Sequence, residues 1–231
     1  MIKDNFSKIK EQIASVCRRI NQDPRQISLV AVSKGRTLEE IQEVAAAGIT
    51  DIGENRIQEA IIKYENLQLI AYNLQLIKWH MVGHLQTNKV KEAVRIFSLI
   101  QSVDSLHLAE EIDRQAAKIS KIQDILIEIK TSPEVTKFGL EPAKTVGEIR
   151  GMAQLKNINI KGLMTIAPIV EDPEKTRPYF RMLRELRDTI NDVRATKYDV
   201  QTLSMGMSDD FQVAIEEGSN MIRLGRAIFG P

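Results

Sequence analysis

Eight short β-rich runs recur along the 231-residue chain, at 28–33, 50–53, 78–82, 97–101, 124–130, 158–166, 199–203 and 221–224. Helical patterns fill most of the intervals, at 37–48, from 53 to about 64, from about 87, then 104–120, 142–155, 173–194 and 209–217. Local signals punctuate these helices. Thr37 and Glu40 form a capping box, Gly48 supplies a stop, and Asp104 or Ser105 can cap the helix that follows them. Strict alternation implies parallel strands joined by crossover helices, and eight such units fit a closed (β/α)8 TIM barrel of the α/β class. An open doubly wound sheet also alternates, but has no need for eight. Neither a linker rich in Gly, Pro or Ser nor a repeat or low-complexity stretch interrupts the pattern, so residues 1–231 are expected to form one domain.

Ahead of the first run, Ile2, Phe6, Ile9, Ile13, Val16 and Ile20 form one apolar stripe at helical spacing, ended by Asn21-Gln22-Asp23-Pro24. A helix lying on a membrane surface would carry the same stripe. Acidic residues mixed among the basic ones favour packing on a core instead. This helix is expected as an extra outer element of the barrel.

Composition narrows the function. With 32 basic and 31 acidic side chains, the net charge of +1 gives no general field for nucleic acid or an anionic membrane. No apolar run approaches the ~18 residues that cross a bilayer, and the N-terminus lacks the apolar block of a secretory signal. Cys17 is the only cysteine, which excludes an intramolecular disulfide and argues against a thiolate metal site. A soluble, cytoplasmic protein of a reducing compartment is expected. His80 and His84 have an H-x-x-x-H spacing, but it falls on a strand and a loop, where it loses the meaning it has on a helix.

In such a barrel, chemistry gathers at the C-terminal ends of the strands, and phosphate often binds after strands seven and eight. Strand seven leads into Ser204-Met205-Gly206-Met207-Ser208, and strand eight into Gly225-Arg226. The glycines allow close backbone approach to an anion, and the hydroxyls of Ser204 and Ser208 can add donors. Tight turns and helix caps would use the same residues. Lys34 follows strand one at the barrel mouth. Desolvated there, it would offer a neutral amine for a Schiff base with a phosphorylated aldehyde; solvated, it would be an ordinary surface charge. Arg223 lies two residues before Gly225, so period two places both on one side, toward a ligand or toward a carboxylate of a neighbouring strand. Met164, Met205 and Met207 read as core or ring-contact fillers.

Nearly end to end, the chain resembles the pyridoxal-phosphate homeostasis protein family, related to the barrel domain of alanine racemase. The resemblance rests on Val30-Ala31-Val32-Ser33-Lys34, Ile52-Gly53-Glu54-Asn55, Trp79-His80-Met81-Val82-Gly83-His84-Leu85-Gln86 and Lys137-Phe138-Gly139-Leu140. It continues through Gly162-Leu163-Met164-Thr165-Ile166-Ala167-Pro168, the segment from Leu203 to Asp210, and the segment from Arg223 to Gly230. It implies pyridoxal 5′-phosphate bound covalently as an internal aldimine to Lys34, with Arg223 facing the pyridine nitrogen. It also implies that Ser204 and the backbone at Gly225 and Arg226 hold the phosphate, with Asn55 beside the cofactor. This chain departs from the family in carrying Arg226 where a small hydroxyl residue is common, and in the loop Lys130-Thr131-Ser132-Pro133-Glu134.

A guanidinium over the pyridine nitrogen opposes its protonation and weakens the ring as an electron sink. Racemases of this fold add a tyrosine from a C-terminal domain. Here the sequence ends eight residues after Arg223, and Tyr64, Tyr72, Tyr179 and Tyr198 all map to helices or their edges. The resemblance therefore implies a protein that binds, buffers or hands on pyridoxal phosphate, with apo-enzymes as candidate recipients, and has no substantial catalysis of its own. A monomer is expected because no long exposed apolar element is seen beyond the first helix. The main rival is a weak racemase or related enzyme using Lys34 as base, which absence of turnover with D- and L-amino acids would remove. A Schiff-base aldolase would need no cofactor, so a yellow protein would count against it. A pure interaction protein would need a partner selective for the loaded form.

Overall fold

The computed structural model describes residues 1–70, 76–134, 138–193 and 199–230. Its eight strands are β1 (Ser28–Val32), β2 (Asp51–Glu54), β3 (Lys78–Met81), β4 (Leu99–Val103), β5 (Gln123–Glu128), β6 (Ile158–Met164), β7 (Thr202–Ser204) and β8 (Met221–Leu224). Each is parallel to its neighbours in chain order, and β8 pairs back onto β1, with Val30 opposite Arg223, to close the barrel. The helices between them are α2 (Leu38–Ala46), α3 (Ile57–Ile70), α4 (Val90–Ile96), α5 (Leu106–Lys118), α6 (Pro142–Met152), α7 (Arg177–Asp192) and α8 (Phe211–Glu216), preceded by α1 (Ile2–Arg19) and followed by α9 (Arg226–Phe229).

Local chemistry sets the ends of these elements. Thr37 and Glu40 form the expected reciprocal box at α2, and Gly48 turns the chain with φ of +96°. Of the two candidates at α5, Ser105 is the cap, accepting from the Leu108 amide at 3.2 Å. The helices expected from about 87 and from 173 each open with a short 3-10 turn, Thr87–Lys89 and Pro173–Thr176. The last becomes α-helical only at Arg177 and ends at Asp192, while position 194 lies outside the described residues. The α3 helix also runs past Tyr64 to Ile70.

Strand alternation divides the interior into two regions. Outward-facing residues such as Ile52, Trp79, Ile100, Ile125, Leu203 and Leu224 form one continuous core with the helices. Inward-facing Leu99, Leu126 and Met164 form a smaller cluster inside the barrel, with Ile166 and Met221 against it. The barrel lumen also holds the buried polar side chains of His80, Gln101, Ser204 and Arg223. Helix α1 packs outside the barrel, burying Ile2, Phe6, Ile9, Ile13 and Val16, and Asn5 donates to the Ile228 carbonyl at 2.9 Å. Ile20 departs from the expected stripe: the helix stops at Arg19, Ile20 is exposed, and Cys17 takes the inward place.

Candidate functional site

A cavity of about 390 Å³ opens at the C-terminal ends of β1, β2 and β8, lined by Lys34, Asn55, Ser208, Arg223, Gly225 and Arg226 among others. Five of the six residues singled out from sequence meet here. Lys34 follows β1 in the turn 33–36, closed by the Arg36 amide donating to the Ser33 carbonyl at 3.0 Å, with Gly35 at φ of +70°. The lysine is exposed at the mouth, the solvated one of the two alternatives left open by the sequence.

Arg223 is only 4% exposed yet lines the cavity. Its Nη1 donates to Ser204 Oγ at 2.7 Å and its Nη2 to the Thr165 carbonyl at 2.8 Å. Thr165 is itself fixed by donating to the Ile129 carbonyl at 2.8 Å and by Thr131 Oγ1 at 2.9 Å, which orders the start of the loop that departs from the family pattern. Burial pulls the guanidinium down to about 10, against the upward pull of Glu128 and Asp210, so it stays charged at neutral pH.

Ser204 corrects the sequence expectation. It is fully buried, lies beneath Arg223 rather than along the cavity wall, and spends its hydroxyl on Gln101 Oε1 at 2.6 Å. Ser208 is the hydroxyl that reaches the cavity, and it also accepts from the Ala227 amide at 3.1 Å. Arg226 is exposed at the rim and pairs with Asp209. Met207 borders the cavity, whereas Met164 and Met205 are buried. His84 stacks on Phe138 with ring centroids 3.8 Å apart and contacts Asp104 at 3.2 Å, beside an adjoining recess that Asn55 shares. Tyr64 and Tyr179 lie on α3 and α7; Tyr72, Tyr198 and Lys137 fall outside the described residues.

Glycine at 83 is what lets Asn55 sit where it does. A Cβ there would lie 2.3 Å from the Asn55 carbonyl oxygen and 2.8 Å from its Cα, so alanine must push the β2 end outward. Gly83→Ala is expected to destabilise the fold by about 1–3 kcal/mol and shift the Asn55 side-chain amide resonances. Urea unfolding with NMR checks this, and an unchanged midpoint would refute it.

Sequence reasoning missed the support beneath Lys34. Glu54 is fully buried and accepts from Ser33 Oγ at 2.5 Å and Lys63 Nζ at 2.6 Å, while Lys63 also donates to the Ser33 carbonyl at 2.6 Å. The Gly35 amide donates to Glu59 at 3.2 Å. Residues on both sides of Lys34 are thus tied to β2 and α3. The available signal was the Glu59/Lys63 pair at i,i+4 behind an acidic strand end. Burial raises the Glu54 carboxyl above its ordinary value, which its bonds to Lys63 and Ser33 only partly offset.

The alanine racemase N-terminal domain family matches residues 5–231. The pyridoxal phosphate homeostasis protein of Aquifex aeolicus is 42% identical over 98% of this chain and 96% of its own. PipY of Synechococcus elongatus PCC7942, solved with PLP bound, superposes with a TM-score of 0.86 at 33% identity and full coverage of both chains. Alanine racemase of Clostridium difficile shares the fold at a TM-score of 0.72 and 17% identity, over 96% of this chain and 59% of its own. With the near-complete match in sequence and barrel, the chain belongs to the pyridoxal phosphate homeostasis protein family, built on the barrel of the alanine racemase N-terminal domain.

Proposed function

We propose that this protein binds pyridoxal 5′-phosphate at the barrel mouth and serves its homeostasis by binding, buffering or delivering it, without substantial catalysis of its own. The observation that carries the reading is the cavity in which the Lys34 amine, the Arg223 guanidinium and the Ser208–Gly225–Arg226 wall converge. These residues suit the group. An amine meets an aldehyde, a charged donor meets a ring nitrogen, and a hydroxyl with adjoining backbone meets a phosphate. In this reading Lys34 Nζ holds the cofactor covalently as an imine to the aldehyde carbon, with water leaving. Ser208 and the backbone at Gly225 and Arg226 hold the phosphate, Arg223 faces the ring nitrogen, and Asn55 flanks the ring. The names of the relatives and the PLP bound to PipY support the reading.

Bound pyridoxal phosphate supplies an imine carbon and an electron-accepting ring. Arg223 limits the second property, because a guanidinium charged at neutral pH opposes a proton on the nitrogen it faces. No tyrosine lines the cavity among the described residues. No helix of the described residues is long and apolar enough to cross a membrane. We take the protein to be a cytoplasmic, one-domain monomer that passes cofactor to apo-enzymes.

Borohydride reduction of the cofactor-loaded protein, followed by peptide mapping, tests this. The expected result is loss of the visible band, with the pyridoxyl label on the Lys34 peptide. Label spread over exposed lysines, or no band at any concentration of pyridoxal phosphate, would overturn it.

A further inference from the structure

Four hydrogen bonds run through the barrel lumen from the cavity to the opposite end. Arg223 Nη1 donates to Ser204 Oγ at 2.7 Å, and Ser204 Oγ donates to Gln101 Oε1 at 2.6 Å. The Gln101 amide nitrogen lies 2.9 Å from His80 Nδ1, and His80 Nε2 lies 3.0 Å from Asp51 Oδ1. Arg223 borders the cavity, whereas Asp51 opens β2 and borders a recess of about 470 Å³ under α1. The chain thus spans β8, β7, β4, β3 and β2.

Its polarity is fixed from the far end. The Asp51 carboxylate can only accept, so His80 Nε2 carries the hydrogen, and in the neutral imidazole Nδ1 is then the acceptor for the Gln101 amide nitrogen. Burial works to raise the Asp51 carboxyl, but the hydrogen bond from His80, with Lys78 and Thr50, takes it below the ordinary value. The Gln101 amide must therefore point its nitrogen at His80 and its oxygen at Ser204. The Ser204 hydrogen is then committed to Gln101, leaving an oxygen lone pair for the guanidinium. Every link donates in the same direction.

We propose that Gln101, oriented by His80 and Asp51, is a positioning residue for the ring-nitrogen contact of Arg223, although it lies outside the cavity wall. The idea rests on the function proposed above. Without the Gln101 oxygen, the Ser204 hydrogen has no acceptor there and the hydroxyl is free to rotate, so its lone pair is no longer held toward Arg223 Nη1, while the bond to the Thr165 carbonyl remains. A buried polar chain of this kind is stabilising only while every member is satisfied.

The test is Gln101→Met, which keeps the length of the side chain and removes the strong acceptor, beside Gln101→Glu, which restores an oxygen for Ser204. Two readouts apply. In unloaded protein, modification of Arg223 by phenylglyoxal, mapped by mass spectrometry, is expected to be several-fold faster in Gln101→Met and close to wild type in Gln101→Glu. In binding, Gln101→Met is expected to weaken pyridoxal phosphate on the order of tenfold, ~1.4 kcal/mol, while leaving its 1-deaza analogue, which has no ring nitrogen, unchanged. Equal loss for both ligands, or wild-type reactivity of Arg223, overturns the proposal. If Gln101→Met does not fold, Ser204→Ala removes the middle link and is read the same way. A wild-type protein that binds neither ligand refutes the functional reading instead, and the arginine reactivity still decides the role of Gln101.

Discussion

Lys34→Ala is expected to keep the barrel intact and to abolish the visible absorbance acquired with pyridoxal phosphate. The lysine is exposed, so the change in fold stability should stay within about 0.5 kcal/mol. The turn that carries it is secured by Ser33 and Gly35, both untouched. What disappears is the covalent link. Contacts at Arg223 and the Ser208–Gly225 wall remain, so non-covalent binding should persist, weakened on the order of a hundredfold or about 2.8 kcal/mol. Thermal unfolding gives a second view. Ligand at a hundred times its dissociation constant stabilises a folded state by about 2.7 kcal/mol, and most of that shift should vanish in the variant. An unfolded variant would refute the placement of Lys34 at the barrel mouth, and one that turns yellow like wild type would show that Lys34 does not hold the cofactor.

The barrel was legible because its signals are local and repeated. Eight apolar runs, period-two alternation and punctuating caps each survive errors of a few residues at element ends. Lys34, Asn55, Arg223, Gly225 and Arg226 converge because residues at strand C-terminal ends must share one face of a parallel barrel. Depth was not legible. Ser204 and Arg223 both point inward, but period two specifies the face of a strand and not the height at which a side chain meets its neighbours. Ser204 accordingly lies one layer below the cavity, and Ser208 takes the place at its wall. Pairings across the lumen were hidden for a related reason. Gln101 meets Ser204 and His80 only because of the order and stagger of β3, β4 and β7, which no short window encodes. Ile20 failed differently. The stripe was real, but helix α1 stops one residue before its last member.

Glu54 and Lys63 were equally invisible as a pair, and separating them should produce the largest loss of stability. Lys63→Met removes the cation from a fully buried carboxylate that already has one oxygen without a hydrogen-bond partner. Breaking a buried pair from one side typically costs about 3–5 kcal/mol, because the remaining charge is left uncompensated. The loss should depend on pH in a definite direction. Burial holds the Glu54 carboxyl above its ordinary range, and removing the Lys63 bond and charge, both of which lower it, pushes it higher still. A carboxyl whose folded value is raised favours the folded state while protonated, and loses that contribution as pH rises through the folded value. Lys63→Met should therefore lie close to wild type in acid, below the unfolded carboxyl value near ~4.3, and fall progressively behind it toward neutral pH. Urea midpoints from acid to neutral pH measure the gap. Adding Glu54→Gln to Lys63→Met removes the stranded charge and should recover most of the stability at neutral pH. A gap that is constant with pH, or a double variant no better than Lys63→Met alone, would mean that lost packing of the lysine stem dominates. The same pair grips Ser33 beside Lys34, so Lys63→Met should also slow the return of the visible band when pyridoxal phosphate is added to unloaded protein.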